Sequence, residues 1–268
     1  MILDAILDNK RREVAERQQT QPLAALKAAC EQAPPPRDLH AALKRDGVSI
    51  IAEIKRRSPS GGEIRPGVAA ADLAGDYARG GAAALSVLTD FRYFGGEDAD
   101  LHAARAATSL PVLRKDFVVD AYQLYEARAL GADAVLLIVR ALSSTALADL
   151  LGLAHDLQLQ ALVETHSAAE VETALGAGAR IVGVNNRDLD TLVTDVSLAP
   201  RLRSLVPPEC VFVAESGISQ PEQMTALHAA GVDAVLIGES LLRAEDPMGK
   251  LAALVAAGAA RLPVRGPS

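Results

Sequence analysis

Two stretches of the chain are near copies of one another: Gly131-Ala132-Asp133-Ala134-Val135 and Gly231-Val232-Asp233-Ala234-Val235, with Gly178-Ala179-Arg180-Ile181-Val182 as a third variant. Each reads as the same join, a helix closed by glycine and followed at once by a buried strand. From residue 48 onward, short apolar runs recur at 49–54, 83–88, 112–113, 134–139, 161–163, 181–184, 211–214 and 234–237. They are rich in Val, Ile and Leu with little alternation, as in parallel strands covered on both faces. Between them lie stretches of helical period, such as 122–130 and 221–230, several ending in glycine (Gly80-Gly81, Gly131, Gly178, Gly231). Eight such β/α units without a break in composition predict an α/β protein with a closed (β/α)8 TIM barrel. An open doubly wound sheet is the alternative, but no glycine-rich dinucleotide fingerprint follows the first strand.

The chain of 268 residues leaves room for little else. Residues 1 to about 30 have helical spacing at Ile2, Leu3, Ile6, Leu7 and Val14, with Lys10, Arg11, Arg12 and Glu13 expected on the outer face. Pro34-Pro35-Pro36 stops that helix, and a short one restarts over 39–43. We expect 1–45 to be an N-terminal helical extension packed on the barrel, and 46–268 to be the catalytic barrel, since so short a segment makes a poor core alone.

Half of the residues are apolar and the net charge is −7, which suits a folded globular protein and argues against a general nucleic-acid binder. Two cysteines are too few for a disulfide framework. No apolar run reaches a membrane span, and the acidic residues near the N-terminus fit no targeting peptide. The expectation is a cytoplasmic protein with no membrane or nucleic-acid partner. The acidic, aromatic-poor composition is most simply that of a monomer.

In such barrels chemistry lies where strands run out into the βα loops. Strand one ends in Glu53-Ile54-Lys55-Arg56-Arg57-Ser58-Pro59-Ser60, strand three in Leu113-Arg114-Lys115-Asp116-Phe117, and strand five in Glu164-Thr165. Strands six, seven and eight end in Asn185-Asn186-Arg187-Asp188, Glu215-Ser216-Gly217 and Gly238-Glu239-Ser240. Alternation puts Glu53 and Lys55 on the same side, and pairs Leu113 with Lys115, Leu162 with Glu164, and Gly183 with Asn185. Two lysines and two glutamates then converge. Charges are costly to bury unless paired, so such a set serves either structure or chemistry, and four on one rim favour chemistry.

Ser216, Gly217, Gly238, Glu239 and Ser240 supply small residues and backbone N–H groups at the two loops where these barrels hold phosphate. The carboxylate of Glu239 is expected to point away. The five histidines are scattered without ligand spacing, so no metal site is expected; His166 either lines the rim or begins a surface helix, and the second is the reading taken. No Ser-His-Asp or Cys-His set is visible.

These phrases, with Leu88-Thr89-Asp90 and Tyr93-Phe94-Gly95-Gly96 after strand two, Asn185-Asn186-Arg187-Asp188-Leu189 and Ala214-Glu215-Ser216-Gly217-Ile218, resemble indole-3-glycerol phosphate synthases along essentially the whole chain. The resemblance implies a barrel with an N-terminal helical segment, acting in tryptophan biosynthesis without metal or organic cofactor on a phosphorylated small molecule. It implies Lys115 as general acid for ring closure, Lys55 on the substrate carboxylate, and Glu164 and Glu53 as candidates for base and for positioning the lysines. Asn185 would orient hydroxyls, Arg187 would support the anionic end, and Ser216, Gly217 and Gly238 would hold phosphate. Ser58 and Glu215 join the substrate contacts, and Pro59, Phe94, Phe117 and Leu136 suit an apolar slot for the aromatic ring. The first βα loop is more basic than in many members, and Thr165 stands where Val or Ile is common. A phosphoribosyl isomerase, a Schiff-base aldolase or a non-catalytic phosphate binder are the other readings; an aldolase needs a neutral lysine, whereas two lysines facing two glutamates favour charged ones.

Overall fold

The computed structural model describes residues 2–59, 61–188 and 190–259. Ser60 and Leu189 of the phrases above, and residues 1 and 260–268 of the expected segments, lie outside the described residues. Eight parallel strands close into a barrel: β1 (Ser49–Ile54), β2 (Ala84–Leu88), β3 (Val112–Lys115), β4 (Ala134–Ile138), β5 (Gln160–Thr165), β6 (Ile181–Asn185), β7 (Val211–Glu215) and β8 (Ala234–Ile237). Each pairs with its neighbour in the chain, and β1 pairs with β8 in the register Ser49↔Ala234 to close the ring.

Three helices precede the barrel: α1 (Ile2–Thr20), α2 (Leu23–Gln32) and α3 (Leu39–Leu43). Those that follow are α4 (Ala70–Arg79), α5 (Phe91–Phe94), α6 (Asp98–Ala107), α7 (Tyr122–Ala129), α8 (Ser144–Asp156), α9 (Ala168–Gly176), α10 (Leu198–Leu202), α11 (Pro221–Ala229), α12 (Glu239–Leu242) and α13 (Pro247–Ala259). The glycine joins behave as read: Gly81, Gly131, Gly178 and Gly231 all have positive φ, which glycine adopts without a Cβ penalty.

Alternation sorts each strand into two layers. Ile50, Ala52, Val135, Leu137 and Val182 face the helices in one core. Ile51, Leu113, Leu136, Leu162, Ile181 and Val213 fill the barrel interior in another. Leu39 and Leu43 of α3 are fully buried in that second core. Several strands extend one or two residues past the apolar runs: β3 includes Arg114 and Lys115, β6 includes Asn185, and β7 includes Glu215. The ladder carries these polar residues, with Leu88↔Lys115 and Asn185↔Glu215 in register, so they project from strand backbone rather than loop.

Two local expectations are corrected. The first helix breaks near residue 21, where Pro22 takes an extended conformation and starts α2, because proline disfavours helical geometry in the residue before it. Lys10 is not on the outer face. It shares the inner face with Leu3, Ile6, Leu7 and Val14, and is buried with Asp90 and Asp116 as ion partners.

Candidate active site

At the C-terminal ends of the strands lies a cavity of about 450 Å³. The structure brings to its lining Glu53, Lys55, Ser58, Pro59, Phe94, Lys115, Phe117, Leu136, Glu164, Asn185, Arg187 and Glu215, and on one side Ser216, Gly217, Gly238, Glu239 and Ser240. The parity argument explains why: Ile51, Leu113, Leu162 and Val213 pack in the barrel interior, so Glu53, Lys115, Glu164 and Glu215, each two residues later, point to the same axis one layer higher.

Lys115 is the centre of the charge. Its Nζ donates to Glu164 Oε2 at 3.1 Å and to Glu215 Oε2 at 2.8 Å. Burial would push this ammonium down, but Glu215, Glu164 and Glu53 outweigh it and hold it above the ordinary lysine range. Glu164 accepts a further bond from Asn185 Nδ2 at 3.2 Å; although burial acts to raise it, Lys115, His166 and Asn185 keep it below the usual carboxylate value. Glu215 goes the other way. Burial raises it to about 7, with Glu164 and Glu53 adding to the rise and Lys115 opposing it. The second lysine, Lys55, donates to Glu53 Oε1 at 2.5 Å.

Two glycines make room for this set. A Cβ on Gly183 would strike the carboxylate of Glu215, and a Cβ on Gly238 would strike that of Glu53. On the apolar side, the Phe94 and Phe117 rings pack on each other, tilted, with centroids 5.9 Å apart, and form one aromatic wall. On the opposite side Ser216 adopts a left-handed φ of 68° and Gly217 one of 79°. The Ser240 hydroxyl ties the two loops by donating to the Ile218 carbonyl at 3.1 Å. α12 begins at Glu239, so its leading N–H groups have no partner within the helix. The Glu239 carboxylate accepts from Arg243 Nε at 2.9 Å. Among the described residues no group of three or more His, Cys, Asp or Glu could hold a metal ion.

The structure also adds residues that sequence reasoning passed over. Ile2, Leu3 and Ile6 of α1 line the cavity, as does Arg243. The family resemblance implies that this N-terminal segment lies near the catalytic rim, but not which of its side chains reach the cavity. Glu215, read only as a substrate contact, is a direct partner of Lys115; pairing it with Val213 by alternation would have found this. His166 is not on the surface: its ring is buried, with Nε2 3.5 Å from Glu164 and Nδ1 3.4 Å from Glu170. Its neighbours, a strand-end carboxylate and one from α9, draw it inward.

A barrel with an ammonium held charged beside buried carboxylates, an aromatic wall and an anion-ready loop pair is an acid–base enzyme fold acting on small molecules. The indole-3-glycerol phosphate synthase family model matches residues 3–254. The chain is 48% identical over 257 residues to indole-3-glycerol phosphate synthase of Saccharopolyspora erythraea, covering 96% of both chains. It is 50% identical over 263 residues to that of Kineococcus radiotolerans, again covering 96% of both. Among solved structures, thiamine phosphate pyrophosphorylase from Pyrococcus furiosus superposes with a TM-score of 0.61 at 16% identity, over 82% of this chain and 97% of that one, a likeness of fold alone. The chain belongs to the indole-3-glycerol phosphate synthase family.

Proposed function

We propose that this cavity closes an indole ring, and that its residues divide the work as follows. The activity is that of the family, a carboxy-lyase step of tryptophan biosynthesis. It turns 1-(2-carboxyphenylamino)-1-deoxy-D-ribulose 5-phosphate into indole-3-glycerol phosphate, carbon dioxide and water. The aromatic ring lies against the paired rings of Phe94 and Phe117, with Leu136 and Pro59 beside it. The phosphate takes the amides of Ser216, Gly217, Gly238, Glu239 and Ser240, and Arg187 supports the anionic end. Lys55 leaves Glu53 for the benzoate carboxylate, and Asn185, Ser58 and Glu215 hold hydroxyls.

Ring closure joins the carboxylate-bearing aromatic carbon to the ketone carbon, and Lys115 gives its proton to the oxygen that becomes an alkoxide. The carboxylate then leaves as carbon dioxide, and its bonding pair restores the ring. Dehydration expels the new hydroxyl as water with a proton from a lysine, while Glu164 accepts the proton from the carbon next to nitrogen. The sum consumes one proton per turnover.

The observation that carries this reading is Lys115 held charged between Glu164 and Glu215 at the mouth. The same observation disfavours a Schiff-base aldolase, whose lysine must be neutral to attack a carbonyl. We further read residues 1–45 as an extension of one catalytic barrel, 46–268, working as a cytoplasmic monomer without metal, organic cofactor, nucleic acid or membrane. Among the described residues no helix is long and apolar enough to cross a membrane. The test is to incubate the purified chain with the substrate and follow indole fluorescence. A rise that requires substrate is expected, and a folded protein that leaves the substrate unchanged overturns the reading.

A further inference from the structure

Lys115 has two carboxylate partners of the same kind, and geometry makes them unequal. Glu164 uses both oxygens: Oε2 accepts from Lys115, and Oε1 accepts from Asn185 while facing His166 Nε2 at 3.5 Å. Glu215 uses only one, for its buried Oε1 accepts no hydrogen bond among the described residues. A buried carboxylate oxygen without a donor is costly when charged, and far less so when the group holds a proton.

The imidazole behind Glu164 has a carboxylate within ionic reach of each ring nitrogen, although neither nitrogen makes a hydrogen bond among the described residues. Its ring is buried, and Nδ1 lies 3.4 Å from Glu170 Oε2. That same oxygen accepts the backbone N–H of His166 at 2.8 Å, so the carboxylate that faces the ring is anchored to the same residue's backbone. The Ser167 hydroxyl caps α9 by accepting the Glu170 N–H at 3.2 Å, which sets where Glu170 starts. With each ring nitrogen facing a carboxylate, the imidazolium satisfies the site better than either neutral tautomer, which would turn a lone pair toward an anion.

We propose that His166 is a positioning residue for the base Glu164: as an imidazolium between Glu164 and Glu170 it makes the Lys115 pair unequal, so that Glu164 stays ionised and Glu215 takes the proton. The inference rests on the reading of Glu164 as base given above. It answers what alternation along the strands left open, namely which of several rim carboxylates is free to accept a proton. The groups that bear on His166 are Glu164 on β5, Glu170 on α9, and Arg140 just after β4, whose Nε donates to Glu170 at 3.2 Å and whose far side meets Asp188 and Asp190. Those that bear on Glu164 are His166, Asn185, Lys115, and the charge of Glu215 across it, with Glu53 beyond. Among the charged groups, Arg140 acts to keep the imidazole neutral. Burial also disfavours its charge, and Glu170 and Glu164 outweigh both, so that the ring is raised above the ordinary histidine value.

The experiment is the pH profile of kcat for the wild type, His166→Leu and His166→Asn, with KM and melting temperature measured beside it. Ionised Glu164 is needed for turnover, so activity falls as pH drops through its titration. Removing the imidazolium raises that titration, and in His166→Leu the acidic limb moves up by about one pH unit or more, the usual scale for losing a nearby opposite charge. At a fixed pH on that limb kcat then falls roughly tenfold, since one unit of pH is a factor of ten in ionised fraction. KM changes little. His166→Asn, which keeps an N–H toward Glu164, recovers part of the rate. A folded His166→Leu with an unmoved acidic limb overturns the inference, even where the wild type makes product normally. Should the variant fail to fold, or the wild type fail to turn over, the imidazole nitrogen resonances of ¹⁵N-histidine-labelled wild type decide. Both His166 nitrogens are expected to be protonated at neutral pH, and a neutral ring there overturns the proposal.

Discussion

Two lysines of this chain keep similar company in different surroundings. Lys10 on α1 meets Glu13, Asp90 and Asp116 at 2.8, 3.0 and 2.9 Å. Lys115 on β3 meets Glu164 and Glu215 at 3.1 and 2.8 Å. Burial pushes both ammonium groups down, and in both the carboxylates outweigh it. What differs is the other side of each nitrogen. The Lys10 side chain is 1% exposed and enclosed, whereas Lys115 is 14% exposed and borders the cavity. The Lys10 cluster, whose Asp116 reaches the cavity edge, joins pieces of backbone: Asp90 caps α5 by accepting the Tyr93 N–H at 2.7 Å, and Asp116 accepts the Phe117 N–H at 2.8 Å. A buried charge set is therefore no sign of chemistry by itself. Access for a reacting atom separates the cluster that holds the wall from the one that works inside it.

The contrast breaks first at Lys115. Lys115→Ala is expected to lower kcat by at least about two orders of magnitude, the scale of a positioned general acid, with the barrel still folded. Steady-state kinetics beside a circular dichroism melt checks both halves, and a variant that keeps most of its turnover removes Lys115 from the mechanism. Lys10→Met should do the reverse. It leaves Asp90 and Asp116 buried without their shared cation, so we expect a loss of about 4 kcal/mol in urea unfolding. The protein that remains folded should keep most of its turnover. Equal losses of rate in the two variants would erase the distinction.

The same contrast measures what a sequence can disclose. The barrel is legible because glycine joins and buried strands repeat, and each repeat is a local signal. Glu53, Lys55, Lys115, Glu164 and Asn185 are legible because alternation along a strand needs no knowledge of its neighbours. Lys10 was not, although it falls on the stripe of Leu3, Ile6 and Val14. A lysine on that face makes sense only once Asp90 and Asp116 arrive from two distant loops. His166 failed for a related reason: β5 ends at Thr165, where alternation stops being a guide, and the ring is turned in by Glu170 from the following helix. The break at Pro22 was readable from proline chemistry alone.

The smallest expected effect separates the two clusters by the sign of their response to pH. In the Lys10 cluster Asp116 is held below the usual carboxylate range: burial acts to raise it, but Lys10 and Arg114 prevail. Its contribution to stability is present above its unfolded value and is lost as pH falls through the folded one. Glu215 in the open cluster is raised, to about 7 from 4.5, with burial as the chief cause. The folded protein therefore holds this proton more tightly than the unfolded chain, and stability drains away as pH climbs from 4.5 toward 7. Glu215→Gln cannot ionise and escapes that loss. Paired melts at pH 5 and pH 8 should show the wild type falling behind the variant at the higher pH by on the order of 2 kcal/mol. Curves that stay parallel would mean that Glu215 is an ordinary ionised carboxylate. Lys115 would then stand between two equal anions, and its access to the cavity would be what sets it apart from Lys10.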